Sequence, residues 1–358
     1  MFRSGHVDGF ARDNLPPQAQ WPEFVFSLPE LNYPERLNCA VELLDKRVDA
    51  GDGDRICLIT PQETLTYRDL QARVNRIANV LTKRLGLVPG GRVMLRSANN
   101  AMMVATYFAV LKAGGVVVAT MPLLRAKELA YTVQKAEIAL ALCDVRLADE
   151  MEKTKAAAPR LEKIVYWGGG PDTLDQMMAE ESAEFEACDT ASDDVCLIGF
   201  TSGTTGVAKG TMHFHRDMMA ICDAYSTQVL KPERDDIFIG SPPLAFTFGL
   251  GGLVLFPMRV GAATVLLEAA PPDKLLGAIR DYKATVSFTA PTAYRAMIDM
   301  LQPGDVASLR KCVSAGEALP KATWDAWFEA TGLKLLDGIG ATELLHIFIG
   351  SPEEEVRP

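Results

Sequence analysis

Val195-Cys196-Leu197-Ile198-Gly199-Phe200 is an apolar run, and Thr201-Ser202-Gly203-Thr204-Thr205-Gly206-Val207-Ala208-Lys209-Gly210 follows it directly. A short unbroken apolar run of this kind reads as a strand buried on both faces, as in a parallel sheet. The ten residues after it hold four hydroxyl side chains, three glycines and one lysine. Glycines let backbone N–H groups approach an anion, hydroxyls add donors, and Lys209 adds positive charge. Phosphate oxygens are the expected ligand. The spacing is not that of a Walker A loop, which needs adjacent Gly and Lys, because Ala208 stands before Lys209. A plain flexible linker would need neither the lysine nor a buried strand immediately before it.

Outward from this segment the chain alternates between strand and helix patterns. Upstream, Leu70, Val74, Ile77 and Leu81 recur at helical spacing after Thr66, and Gly86 offers a stop. Strands are predicted at 93–95, 116–120, 138–143 and 163–166, with helices at 101–113, 126–136 and 147–157. Downstream, strands are predicted at 237–241, 263–267, 285–289, 311–313 and 334–337, with helices at 214–230, 272–282, 291–301 and 320–330. Apolar strands separated by amphipathic helices predict an α/β fold of two successive halves, with parallel sheets covered by helices. The acidic stretch 180–194 sets the expected division. An extended arm over 1–35, rich in Pro and aromatics, would precede subdomains at 36–190 and 191–358.

Composition narrows the partners. The 358 residues are 48% hydrophobic and 23% charged, with a net charge of −10. That balance excludes disorder as the main state and argues against nucleic acid as a partner. Apolar stretches such as 116–124 and 250–258 fall well short of the roughly 18 residues of a membrane span. The N-terminus carries no apolar signal core, so a cytoplasmic location is expected, with no membrane partner. Seven cysteines at 39, 57, 143, 188, 196, 222 and 312 show no CxxC spacing, and they read as small buried hydrophobes. His213-Phe214-His215 resembles a metal pair, yet no Cys, Asp or Glu completes a ligand set close by in sequence.

Two further segments carry chemistry. In Asp337-Gly338-Ile339-Gly340-Ala341-Thr342-Glu343 the third glycine of a dinucleotide fingerprint is replaced by Glu343. An acid there suits a hard cation that also accepts phosphate oxygens. Ser314-Ala315-Gly316-Glu317-Ala318-Leu319-Pro320 follows a predicted strand and opens a helix, and its small residues would let a flat ring lie against backbone.

Together and in this order, these three segments resemble the adenylate-forming superfamily of acyl-CoA synthetases, luciferases and peptide-synthetase adenylation domains. Within it the likeness runs to benzoate-CoA and 2-aminobenzoate-CoA ligases, through HVDGFARDNLPPQAQWPEF, ATMPLLRAKEL and GIGATELLHIFIG. The resemblance implies ATP phosphate binding by Thr201, Ser202, Gly203, Thr204, Thr205, Gly206 and Lys209. It implies adenine contacts at Ala315, Gly316, Glu317, Asp337 and Gly338, with Thr342 at the α-phosphate. Glu343 would hold Mg²⁺, with Thr205 as a further ligand. Lys209, Thr342 and Glu343 are the implied catalytic groups, and CoA is the implied co-substrate.

The acid is implied to lie near Phe246, Thr247, Phe248, Gly249, Ala290, Ile339, Gly340 and His346. Amino-acid-activating relatives usually carry Asp at the position of Thr247, which disfavours α-amino acids because a buried ammonium would go unpaired. Benzoate and 2-aminobenzoate both remain open. His346, between Leu345 and Ile347, reads as a core histidine on its own pattern and as a pocket residue by resemblance. Ile339 stands where many members have Tyr, and Phe246 where many have His. Family members continue beyond the point matching Pro358 with a sub-barrel and a C-terminal domain. A truncated ligase is therefore expected, with room for a homodimer. The alternatives are a non-catalytic aryl-acid and nucleotide-binding module, or an enzyme loading a carrier protein.

Overall fold

A computed structural model describes residues 1–201 and 208–357. It divides into two compact units. The first comprises Met1–Lys46, Arg68–Ser97 and Met102–Ala220, and the second comprises Arg47–Tyr67, Ala98–Ala101 and Ile221–Pro358. The chain therefore passes between units after Ala220 and not at 190. The cause is pairing: Val195–Phe200 joins Val116–Thr120 in parallel, which ties it to the strands before it.

The first unit holds a six-stranded sheet. Its order is Lys163–Trp167, Leu140–Asp144, Arg92–Arg96, Val116–Thr120, Val195–Phe200 and Gly210–Phe214. All neighbours run parallel except the last pair, an antiparallel hairpin. Helices Ala101–Lys112, Ala126–Lys135 and Ala148–Ala157 supply the crossovers that parallel strands require. Leu129, Val133, Met94, Val118 and Ala141 pack in one fully buried cluster. Each of the larger side chains, Leu129, Val133, Met94 and Val118, contributes about 1.5–3 kcal/mol by leaving water. Residues 1–35 lie in this unit and form short helical turns, not a wholly extended arm. They are tied down by Gly5 N–H to Asp194 at 2.8 Å, and Val7 N–H to the Pro89 carbonyl at 2.9 Å. The Arg92 guanidinium also lies 4.5 Å from the centre of the Phe10 ring.

The second unit holds an eight-stranded sheet. The order is Ile347–Gly350, Leu335–Gly340, Lys311–Ser314, Val286–Thr289, Ile237–Gly240, Ala263–Val265, Ile56–Ile59 and Thr64–Thr66. The six inner strands are parallel, and the strand at each edge is antiparallel to its neighbour. The sheets are thus mixed, with the expected parallel strands at their centres. Helices Pro272–Asp281, Pro291–Ile298 and Lys321–Thr331 contribute Leu275, Ile279, Met297 and Trp327 to a buried cluster with Ile239 and Leu335. The helix predicted over 214–230 begins one residue later, because Phe214 still pairs with Val195 in the hairpin.

Candidate active site

In the first unit, the segment expected to bind phosphate begins at the tip of the hairpin 195–214. Its base is fixed: Thr201 N–H donates to the Lys209 carbonyl at 2.9 Å, and Thr211 Oγ1 donates to Gly199 O at 2.8 Å. The Tyr131 hydroxyl donates to Ala208 O at 2.9 Å, and its ring meets Phe200 edge-on. The Lys209 side chain is exposed. Ser202, Gly203, Thr204, Thr205 and Gly206 lie outside the described residues. Nearby in sequence to Tyr131, the loop 121–124 is organised by Arg96. Its guanidinium donates to the carbonyls of Met121, Pro122 and Leu124 at 2.7–2.9 Å.

In the second unit, register brings the other expected residues to one edge. Phe288 sits opposite Gly240, Thr289 opposite Ser314, and Ser314 opposite Asp337. Ser241, Thr289, Ser314 and Asp337 therefore follow one another across the carboxyl-terminal parts of four neighbouring strands, with Ala290, Ala315 and Gly338 next along the chain. That edge is where open α/β sheets bind ligands. Ala290 is the cap residue of helix Pro291–Ile298, and its carbonyl accepts from Tyr294 N–H at 3.2 Å. Gly316 has φ +97°, a conformation that a side-chain-bearing residue rarely adopts, and this lets the backbone turn after Ala315. Thr292 holds the Glu317 carboxyl below its ordinary pKa, first through its side chain and then through its N–H, which donates to the carboxylate at 2.9 Å. Burial pushes the Asp337 carboxyl up, and its Oδ1 has no hydrogen-bond partner among the described residues.

The aromatic segment 246–249 continues into a helical stretch reaching Val260. Phe246 is 45% exposed, Thr247 and Phe248 are half-buried, and Gly249 is buried. The side chain of Asn99 positions the loop before them. Its Nδ2 donates to Pro242 O at 2.9 Å, and its Oδ1 accepts from Leu244 N–H at 2.8 Å.

His346 is buried among rings. Its centroid lies 4.5 Å from Phe256, 5.5 Å from Phe248, 5.6 Å from Tyr225 and 6.1 Å from Phe288. A Cβ on Gly251 would collide with the imidazole, so only glycine admits the ring there. Nε2–H donates to Phe248 O at 3.3 Å, and Nδ1 is buried without a partner among the described residues. Burial pushes the imidazole down to about 3, so the ring is neutral. His346 is thus a buried core residue that touches Phe248. Ile339 is 59% exposed beside Gly338 and Gly340 on the strand Leu335–Gly340. Thr342 and Glu343 follow in a short 3₁₀ turn, with the Glu343 side chain exposed.

Asn99, Tyr225, Phe256 and Phe288 were not singled out from sequence. Asn99 stands 143 residues before Pro242, so local pattern carries no signal for it. Phe288 lies inside a predicted strand, where an aromatic reads only as core.

A family model described as AMP-binding enzyme matches residues 44–358. The chain belongs to that family. It is 33% identical over 334 residues to a benzoate–CoA ligase of Thauera aromatica, an alignment covering 92% of this chain and 63% of that protein. The crystal structure of the anthranilate CoA ligase AuaEII with anthranoyl-AMP superposes with a TM-score of 0.88 at 32% identity. That match covers 92% of this chain and 65% of the other. ATP-bound MatB from Rhodopseudomonas palustris gives a TM-score of 0.80 at 27% identity, covering 89% and 62%. The chain spans about three-fifths of the length of the curated relatives it matches. Among the described residues, no helix of this AMP-binding chain is long and apolar enough to cross a membrane.

Proposed function

We propose that this chain carries the nucleotide and acid sites of an ATP-dependent aryl acid–CoA ligase. The carboxylate of an aromatic acid attacks the α-phosphorus of ATP, giving an aryl-AMP anhydride and pyrophosphate. The thiol of CoA then attacks the acyl carbon, AMP departs, and the thiol proton is released. A carboxylate is a poor electrophile, and adenylation replaces its oxyanion with a good leaving group. No side-chain nucleophile is needed, so the protein contributes position and charge.

The observation that carries this reading is the row of segments along the carboxyl ends of four neighbouring strands of the second unit. Ala315, Gly316, Glu317, Asp337 and Gly338 would flank the adenine there. Phe246, Thr247, Phe248, Gly249, Ala290, Ile339, Gly340 and His346 would line the ring of the acid. A neutral His346 suits this, because an imidazolium beside an aryl ring would sit in apolar surroundings without a counter-ion. Thr201 to Gly206 with Lys209 would take the phosphates, and Thr342 the α-phosphate.

Glu343 fits a divalent cation. Its exposed carboxylate is a hard oxygen donor on a short turn, and Mg²⁺ favours one or two such ligands with phosphate oxygens. Such an ion supplies neutralisation of phosphate charge as pyrophosphate departs. The similarity to ligases named for benzoate and anthranilate supports a flat aromatic acid. The competing reading of a non-catalytic binding module predicts the same binding without pyrophosphate release.

The test is a panel of benzoate, 2-aminobenzoate, hydroxybenzoates and hexanoate on this chain. Affinity is measured by calorimetry, and pyrophosphate release with and without CoA. The reading requires aromatic acids to bind at least tenfold tighter than hexanoate, a gap of about 1.4 kcal/mol. Equal affinities across the panel refute it.

A further inference from the structure

The cysteines and His213-Phe214-His215 gave no metal signature in sequence, but folding gathers three of these residues. Within the first unit, Cys39 opens a helical segment, Cys196 lies in the strand Val195–Phe200, and His215 begins the helix His215–Ile221. One donor atom from each lies within 4.8 Å of the other two. The His215 Nδ1 is 3.1 Å from Cys39 Sγ, across 176 residues of sequence. All three side chains are fully buried. The reading of this histidine pair concerns donors close by in sequence, and for His215 the fold adds two that are not. Its partners come from elsewhere in the fold and leave no mark in local spacing.

We propose that Cys39, Cys196 and His215 hold a zinc ion. Soft thiolate and imidazole donors in this combination suit Zn²⁺ and not Mg²⁺ or Ca²⁺. Charge balance favours a divalent ion. Two thiols lose their protons on binding, and two thiolates with Zn²⁺ make a neutral complex, which a dry interior tolerates. A cuprous ion would leave a net negative charge, which is costly to bury.

A second observation points the same way. The Tyr107 hydroxyl is buried in the same unit, and it has no hydrogen-bond partner among the described residues. Among the described residues no fourth Cys, His, Asp or Glu joins the cluster. A water would take the fourth position of a tetrahedral zinc site. The His215 Nε2 is also without a partner among the described residues. In the present arrangement Nδ1 accepts from Cys39 N–H at 3.2 Å, and the ion would take over that lone pair. The site would pin residue 39 to the strand that leads into Thr201, which makes its role structural.

The competing view is an ordinary buried thiol–imidazole hydrogen bond, which takes up no metal. The test uses the whole chain, stripped with a chelator and then dialysed against zinc alone. One zinc per chain by mass spectrometry is expected, with a rise in melting temperature. Titration with cadmium should give a thiolate charge-transfer band in the ultraviolet with a one-to-one endpoint. This measurement needs no variant, so it stands even if substitutions fail to fold. Cys196→Ser and His215→Gln should each lose tight zinc uptake, while Cys57→Ser should keep it. No cadmium–thiolate band from folded wild-type chain overturns the proposal. So does full zinc retention in folded Cys196→Ser.

Discussion

His346 should make the second unit acid-labile in a way that one substitution removes. The ring is buried against Phe248, Phe256, Phe288 and Tyr225, and burial brings its pKa from the ordinary 6.5 down to about 3. In the unfolded chain it titrates normally, so between those two values the unfolded state binds a proton that the native state refuses. Stability from this group is fully present above pH 6.5 and is lost as pH falls toward the folded value. Linkage gives a loss of about 2 kcal/mol between pH 7.5 and pH 5. That magnitude depends on the unfolded pKa and hardly at all on the folded one, provided the latter stays below about 4.

The assay is urea unfolding at several pH values for wild type and His346→Phe. Phenylalanine keeps an aromatic ring among aromatic neighbours but cannot titrate. It forfeits the hydrogen bond to Phe248 O, which lowers stability equally at every pH by about 1–3 kcal/mol. Asp217 works in the opposite direction. Burial pushes its carboxyl up to about 6, so its contribution is present at low pH and lost as pH rises through that value. It is common to both proteins and cancels in their difference. Wild type should lose about 2 kcal/mol more than the variant on acidification. Parallel curves would mean that His346 is accessible to water or paired in the native state, and the burial argument would fail.

Three further substitutions probe the site. Glu343→Gln keeps the size but removes the charge assigned to the cation, so acid-dependent pyrophosphate exchange should fall by orders of magnitude while aryl-acid affinity by calorimetry stays unchanged. Gly251→Ala puts a methyl into the imidazole of His346 and should cost about 1–3 kcal/mol in the urea midpoint. Asn99→Ala leaves Pro242 O and Leu244 N–H unpaired, at about 1–3 kcal/mol for each buried group. It should weaken aryl-acid binding more than ATP binding in parallel calorimetric titrations, since its loop leads into Phe246 and Phe248.

Which elements could be read from sequence follows from whether their stabilising contacts are local. The inner strands 116–120 and 195–200 carry their own signal, because burial on both faces demands an unbroken apolar run. Position in the sheet does not decide this alone: the edge strand Lys163–Trp167 is legible, while the inner strand Ile56–Ile59 and the edge strands Thr64–Thr66, Gly210–Phe214 and Ile347–Gly350 are not. Thr64–Thr66 and Gly210–Phe214 mix polar and apolar residues, which leaves no unbroken apolar run to read. The helical stretch 247–260 is a stronger case, because glycines and Pro257 give it poor intrinsic propensity. Its helix is held from outside. At Gly252 a Cβ would come within 2.5 Å of the Phe288 ring, and at Gly251 it would meet His346, so the residues that weaken the helix locally are those that let it pack. The site divides along the same line. The segment 201–210, the turn after Ser314 and the pair Thr342-Glu343 are contiguous strings whose residue types suit phosphate, a flat ring and a cation. Asn99, Tyr225, Phe256 and the Cys39–Cys196–His215 cluster depend on contacts between distant parts of the chain. Only the paired strands and packed helices bring their chemistry together.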